Sequence, residues 1–295
     1  MTRWLLILSL FFVNLAQATP IAIIADLNGR YGSTAYHARI TQAIDAIVAL
    51  RPEAVVIAGD MVAGQASPPL TEPEIEAMWA NFDKVVYQTL KRQNIKVLPV
   101  PGNHDASSYT AYRHERLAYE KYWKGRAPSG LSADSRFPWH YSVPLDHSRF
   151  VGLDVTVPKP LDDAQAIFLK EQRAAAQAAG QSLLVATHLP IFPVAAGREK
   201  EVIGSNQETL PGETWVSGHH HAFYAAVTPS GGIQLSVPAL GGNRRAWLGT
   251  DQKSPFGFVT LDPDGVPALH GWPGFEASEP HIGPAAIGSL RRIDN

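Results

Sequence analysis

Short apolar runs that stop on a polar residue set the frame for this chain. Residues 21–25 end at Asp26, Ala54–Ala58 run into Gly59-Asp60, and Lys96–Val100 run into Pro101-Gly102-Asn103-His104-Asp105. Runs of about five apolar residues bounded by Gly- or Pro-containing loops read as buried strands. Between them lie stretches with helical spacing. Residues 37–50 carry Ile40, Ile44, Ile47 and Val48, and residues 73–93 begin with Pro73 and acidic side chains. Proline and acids belong in a helix's first turn. Strand and helix alternating in this way imply an α/β fold layered on central sheets.

The second half is richer in strands. Helical spacing continues over residues 109–123, and a loop covers 127–138. Strands are expected at 139–143 and 149–154, joined by a turn at Asp146-His147, and at 182–187, 214–217, 223–228, 233–237 and 256–261. An Ala-rich helix spans 162–179 and stops at Gly180, the residue that tolerates a left-handed helix end. Residues 19–272 are read as one domain, followed by an irregular tail over 273–295 rich in Pro, Gly and Ala. With 45% hydrophobic residues in 295, one large core is affordable.

Charge and cysteine content exclude some functions. The net charge of -2 leaves no basic footprint for nucleic acid. The absence of cysteine rules out disulfides and thiolate metal sites, so any metal must sit on oxygen and imidazole. Residues 1–18 read as a signal peptide: Arg3, an uncharged apolar run over 4–13, then Ala16-Gln17-Ala18 before Thr19. The run is short for a membrane span, so the expectation is a periplasmic or secreted protein with no anchor after cleavage.

Five segments share one pattern, an apolar strand delivering a metal-competent side chain. They are Asp26-Leu27-Asn28, Gly59-Asp60, Gly102-Asn103-His104-Asp105, Thr187-His188 and Gly218-His219-His220-His221. Any one of them alone is an ordinary turn or helix cap. Five in order, each at the carboxyl end of a strand where α/β folds gather ligands, point to a shared site.

Their order resembles that of the calcineurin-like metallophosphoesterases, which show D-x-H, G-D-x-x-D/N/Y, G-N-H-D/E, a later His and G-H-x-H. The resemblance covers residues 21–221, and Gly102-Asn103-His104-Asp105 and Gly218-His219-x-His221 are its most specific parts. It implies a four-layer sandwich of two mixed β-sheets flanked by helices. It also implies two divalent ions (Mn, Fe or Zn) that activate water for attack on a small phosphorylated substrate. Carried over by position, Asp60 would bridge the ions, Asp26 and His221 would serve the first, and Asn103, His188 and His219 the second. His104 would protonate the leaving oxygen or stabilise the transition state. Asp105 would orient His104, or else cap the helix that follows. An extended G-H-x-H backbone would aim His219 and His221 to one face and His220 elsewhere.

Two positions depart from the family pattern, both on the first-metal side. Asn28 replaces the His of D-x-H and is carried as a ligand with weaker, harder oxygen, and Ala63 replaces a ligating residue. His37 and Tyr31 are the residues that could substitute in space, but His37 fits better as a helix start and Tyr31 as loop packing. Arg30 in its Gly-rich loop, Asn103, and Arg244 or Arg245 after Gly241-Gly242 are candidate substrate contacts. The leading reading is a metal-dependent phosphomonoesterase or phosphodiesterase. The alternatives are a non-catalytic metal- or phosphate-binding exported protein with a degenerate first site, and a hydrolase of another ester.

Overall fold

The computed structural model describes residues 19–204 and 208–278. The expected signal segment and the end of the tail lie outside the described residues. Two six-stranded mixed sheets face each other. The first has the order β12-β11-β10-β1-β2-β3, built from Ile21–Ile24 (β1), Ala54–Ala58 (β2), Lys96–Val100 (β3), Gly257–Leu261 (β10), Pro267–Gly271 (β11) and Ala277–Ser278 (β12). The second has the order β4-β5-β6-β7-β9-β8, built from Tyr141–Pro144 (β4), Ser148–Gly152 (β5), Ser182–Ala186 (β6), Glu213–Ser217 (β7), Tyr224–Val227 (β8) and Ile233–Ser236 (β9). β1, β2 and β3 run parallel, as do β5, β6, β7 and β9, and the remaining pairs are antiparallel.

The period-two rule of a strand explains the layering. In β2, Val55 and Ile57 join a core under the helices Ala38–Leu50 (α1), Glu72–Phe82 (α2), Gln88–Arg92 (α3) and Arg113–Trp123 (α5). Ala54, Val56 and Ala58 face the other way, into the core between the sheets with Leu184, Val216 and Leu235. The outer face of the second sheet packs Val151, Val185 and Trp215 against Phe168 and Leu169 of Asp163–Ala178 (α6). This is the four-layer α/β sandwich that the resemblance implies.

Helix bounds differ from the sequence reading where local geometry intervenes. The stretch expected as one helix over 73–93 is α2 and α3 joined by a π-helical turn at Asp83–Tyr87. His37 caps α1, its Nδ1 accepting from the Arg39 N–H at 3.2 Å. The tail expected to be irregular from 273 is anchored over its described part. Phe275 is buried, its carbonyl is bound by His270 Nδ1 at 3.1 Å, and β12 extends the sheet. β11 and β12 escape periodicity because β11 is mostly half-buried and lacks apolar alternation.

Candidate metal centre

Both sheets end on the same edge, and each contributes a different chemistry. The first sheet delivers oxygen: Asp26 after β1, Asp60 after β2, Asn103 after β3. The second delivers imidazole: His188 after β6, His219 and His221 after β7. One ligand atom from each of Asp26, Asp60 and His188 lies within 4.8 Å of the others, and all three residues are buried. The site exists only because the sandwich brings the two edges together.

Close approach of the loops demands small residues. A Cβ on Gly102 would collide with Asp60 Oδ1, and one on Gly218 would lie 2.7 Å from Asp26 Oδ2. The glycine ahead of one ligand thus makes room for another ligand from a distant segment. The backbone is strained in the same place. Asp26, Asp60, His219 and His221 take φ of 53°, 57°, 61° and 52°, the left-handed region that non-glycine residues avoid at a cost of about 1–2 kcal/mol. Such strain persists only where the surroundings over-determine it. The G-H-x-H segment is therefore not extended, as expected from sequence, but turns at both histidines. The turns achieve the convergence that alternation was expected to supply.

Around Asp60 the acceptor atoms crowd together. Asn103 Oδ1 lies 2.9 Å from His188 Nε2 and 2.9 Å from His219 Nδ1. Those two nitrogens are 3.2 Å apart, and His188 Nε2 is 3.3 Å from Asp60 Oδ1. The far nitrogens are committed elsewhere: His188 Nδ1 to the Ala58 carbonyl at 2.8 Å, His219 Nε2 to Glu201 Oε2 at 2.6 Å. Neither of those partners can donate, so in the neutral rings the far nitrogens carry the hydrogens and the inner ones present lone pairs. His188 Nε2 thus has Asn103 Oδ1, His219 Nδ1 and Asp60 Oδ1 within 2.9–3.3 Å, spacings that suit donors to one ion at bonds of about 2.1 Å. Burial disfavours a charged His188, but Asp60 and Asp26 override it and raise its pKa to about 9. Burial likewise pushes Asp60 up, and His188 and His104 more than reverse this, holding it well below the usual carboxylate range. His219 is lowered to about 4, chiefly by burial.

The first-metal side is sparser. His221 Nε2 lies 3.2 Å from Asp26 Oδ1, and its Nδ1 is held by the Asn243 carbonyl at 2.6 Å. Both Asp26 oxygens accept from the His219 N–H at 3.1 and 3.0 Å. Asn28 Oδ1 is buried and has no hydrogen-bond partner, while the Asn28 N–H reaches the Asp60 carbonyl at 3.2 Å. A buried amide oxygen left orphaned is costly, and a cation is one way to satisfy it. Ala63 is buried and offers nothing. His37 is taken up as a helix cap. Tyr31 does not pack the loop: it is 65% exposed, with its ring 5.3 Å from that of His104.

His104 Nδ1 bonds the Gly64 carbonyl at 2.8 Å, so it carries the hydrogen and leaves Nε2 toward Asp60, 3.8 Å from Oδ2. Asp105 does not hold His104, in contrast to the sequence expectation. Its two oxygens accept from the Val62 and Gly102 N–H groups at 2.9 and 3.0 Å. It lies in the short helix Asn103–Ala106 (α4), which turns its carboxyl back into the loop. His220 is a satisfied core residue, its Nδ1 accepting from the Val194 N–H and its Nε2 bound to the Glu201 carbonyl. Arg30 is exposed. Arg244 is exposed and sits 5.5 Å from the Phe256 ring that also carries Arg39. Arg245 is half-buried with an unpartnered Nε, and Arg198, Glu201, Asp26 and Tyr31 all act on its charge. Of the two arginines, Arg245 is the one on whose charge Asp26 acts.

Glu201, which the sequence reading missed, links His219 to Arg198. Burial would raise its pKa, but His219 and Arg198 lower it to about 2. Its only signal in sequence is an acid in a loop of mixed charge.

Residues 19–223 match the family model described as calcineurin-like phosphoesterase. No curated protein matches the chain. Among solved structures, a dimetal phosphatase from Danio rerio superposes with a TM-score of 0.54 at 16% identity, over 86% of this chain and 96% of its own. PhoD superposes with a TM-score of 0.52 at 10% identity, over 84% of this chain and 64% of its own. At these identities the likeness is one of fold.

Proposed function

The chain belongs to the calcineurin-like phosphoesterase family of metal-dependent phosphoric ester hydrolases, and we propose that it hydrolyses small phosphomonoesters or phosphodiesters outside the cytoplasm. The observation that carries this reading is the gathering of Asn103, His219 and Asp60 around His188 Nε2, with Asp26 grouped to Asp60 and His188 and His221 beside Asp26. Asn103, His188 and His219 would hold one divalent ion, Asp26, His221 and Asn28 another, and Asp60 both. Mn, Fe and Zn all accept this donor set. When bound, such a pair supplies Lewis-acid activation of water and neutralises charge developing on phosphoryl oxygens.

The protein's own groups do the rest. His104 is oriented by the Gly64 carbonyl, which takes the Nδ1 hydrogen and leaves Nε2 facing the site; once protonated there, Nε2 would give its proton to the leaving oxygen. Asp105 supports this at one remove, by fixing the turn that places Asn103 and His104. Arg245, whose Nε has no hydrogen-bond partner and whose charge feels Asp26, is the better candidate than Arg244 for holding a phosphate oxygen. Export rests on the targeting pattern in residues 1–18.

The test is a panel of aryl phosphate monoester and diester with protein stripped by chelator and reloaded with Mn, Fe or Zn. Turnover should vanish on stripping and return with metal. His104→Ala should lower kcat by about 10²–10⁴-fold with metal content unchanged. Metal uptake with no turnover of either ester would instead favour a binding protein.

A further inference from the structure

An amide is a double-faced ligand. Turned one way, Asn103 offers an oxygen to a cation; turned the other way, it offers two N–H donors that would satisfy the lone pairs of His188 and His219 and close the site. Something must choose between these faces. Asn103 Nδ2 donates to Gln65 Oε1 at 2.8 Å, and this is the contact that turns Oδ1 toward the two imidazoles. The backbone of Gln65 is itself pinned. It sits at φ 63°, and its N–H is shared by both oxygens of buried Glu115 at 3.0 Å each. The preceding residue, Gly64, binds the neighbouring ligand-loop residue twice, its N–H to the His104 carbonyl at 3.1 Å and its carbonyl to His104 Nδ1.

We propose that Gln65 is a positioning residue that selects the metal-competent face of Asn103, and that Glu115 holds Gln65 in place for this. The inference rests on the metal reading above and deepens it. One turn, Gly64-Gln65, then orients two consecutive side chains, fixing the His104 tautomer through a carbonyl and the Asn103 amide through a side-chain oxygen. Gln65 is not one of the residues assigned to hold an ion; its side chain meets the site through Asn103. Its effect passes entirely through Asn103, as is usual for partners that stand behind metal ligands.

The experiment measures Mn binding by calorimetric titration on purified protein. Gln65→Leu keeps the bulk and removes the acceptor, and it should weaken the tighter Mn step by about 10- to 100-fold. Gln65→Glu keeps an acceptor and should stay within about threefold of wild type. Asn103→Asp presents oxygen whichever way it turns, so in that background Gln65→Leu should cost little, a coupling that simple loss of packing would not produce. Circular dichroism of the metal-free variants checks folding, and Gln65→Ser repeats the test should the leucine variant not fold. Unchanged Mn affinity in Gln65→Leu overturns the inference. So does an equal loss in Gln65→Glu, or the full loss persisting beside Asn103→Asp. A wild-type protein that takes up no divalent metal refutes the metal reading, and this inference with it. Wild-type uptake with an indifferent leucine variant refutes this inference alone.

Discussion

On one side of Asp60 every ligand atom has its back held, and on the other side it does not. His188 is tied to the Ala58 carbonyl, His219 to Glu201, and Asn103 to Gln65. Across from them, His221 is tied to the Asn243 carbonyl and Asp26 to the His219 N–H, but Asn28 offers only an amide oxygen and Ala63 has no donor. The rings differ in access too: the His188 side chain is fully buried, whereas 12% of His221's is exposed. Ligand count alone would make the halves near equals. Outer contacts fix ligand orientation, and affinity follows orientation as much as identity. The two ions should therefore bind in order, the His188 side first.

The most damaging change is the one that spares neither half. Asp60→Ala removes the carboxylate proposed to serve both ions, and kcat on an aryl phosphate should fall on the order of 10³-fold or more. Bound metal, counted by elemental analysis, should drop below one ion per chain. Retention of two ions would mean that the halves do not share Asp60.

Next come the paired histidines, which pull the comparison apart. His219→Ala should abolish the tighter Mn step, and His221→Ala only the weaker one, each seen as the loss of one inflection in a two-step titration. Equal effects on both steps would erase the distinction between the halves. Glu201→Gln is the finer form of the same test. It keeps an oxygen at the far side of His219 and removes the charge, so the tighter step should weaken by about tenfold while the weaker step holds.

Much of this was legible in the sequence, for a physical reason. A strand buried on both faces is nearly all apolar, so the first polar residue after it stands out. Asp26, Asp60, Asn103, His188 and His219 announce themselves in this way. Gln65 and Glu201 do not, because their partners are set by how loops from different sheets meet, and no local pattern records that. Arg244 and Arg245 are adjacent, and sequence alone does not say which of them packs on Phe256 and which feels the charge of Asp26. The left-handed turns at His219 and His221 are the sharpest case. Neither residue favours that backbone, and tertiary packing imposes it, so reading the motif as a strand reached the right convergence through the wrong geometry.

The smallest expected effect repairs the weaker half. Asn28 stands where imidazole is usual in the family, and its oxygen is already buried with no other bond to make. Asn28→His replaces a weak oxygen donor with a stronger nitrogen donor at the same place. The weaker Mn step should tighten by several-fold, about 1 kcal/mol or a little more on the scale where tenfold is 1.4 kcal/mol. The tighter step should stay fixed, and the ratio of the two affinities should shrink. Burial sets the limit on this gain, since an imidazole is larger than an amide and Asn28 lies 5% exposed against the Asp60 carbonyl. If the two steps stay as far apart as in wild type while the variant folds and binds, the weakness of the first half comes from Ala63 or from the exposure of His221, and not from residue 28.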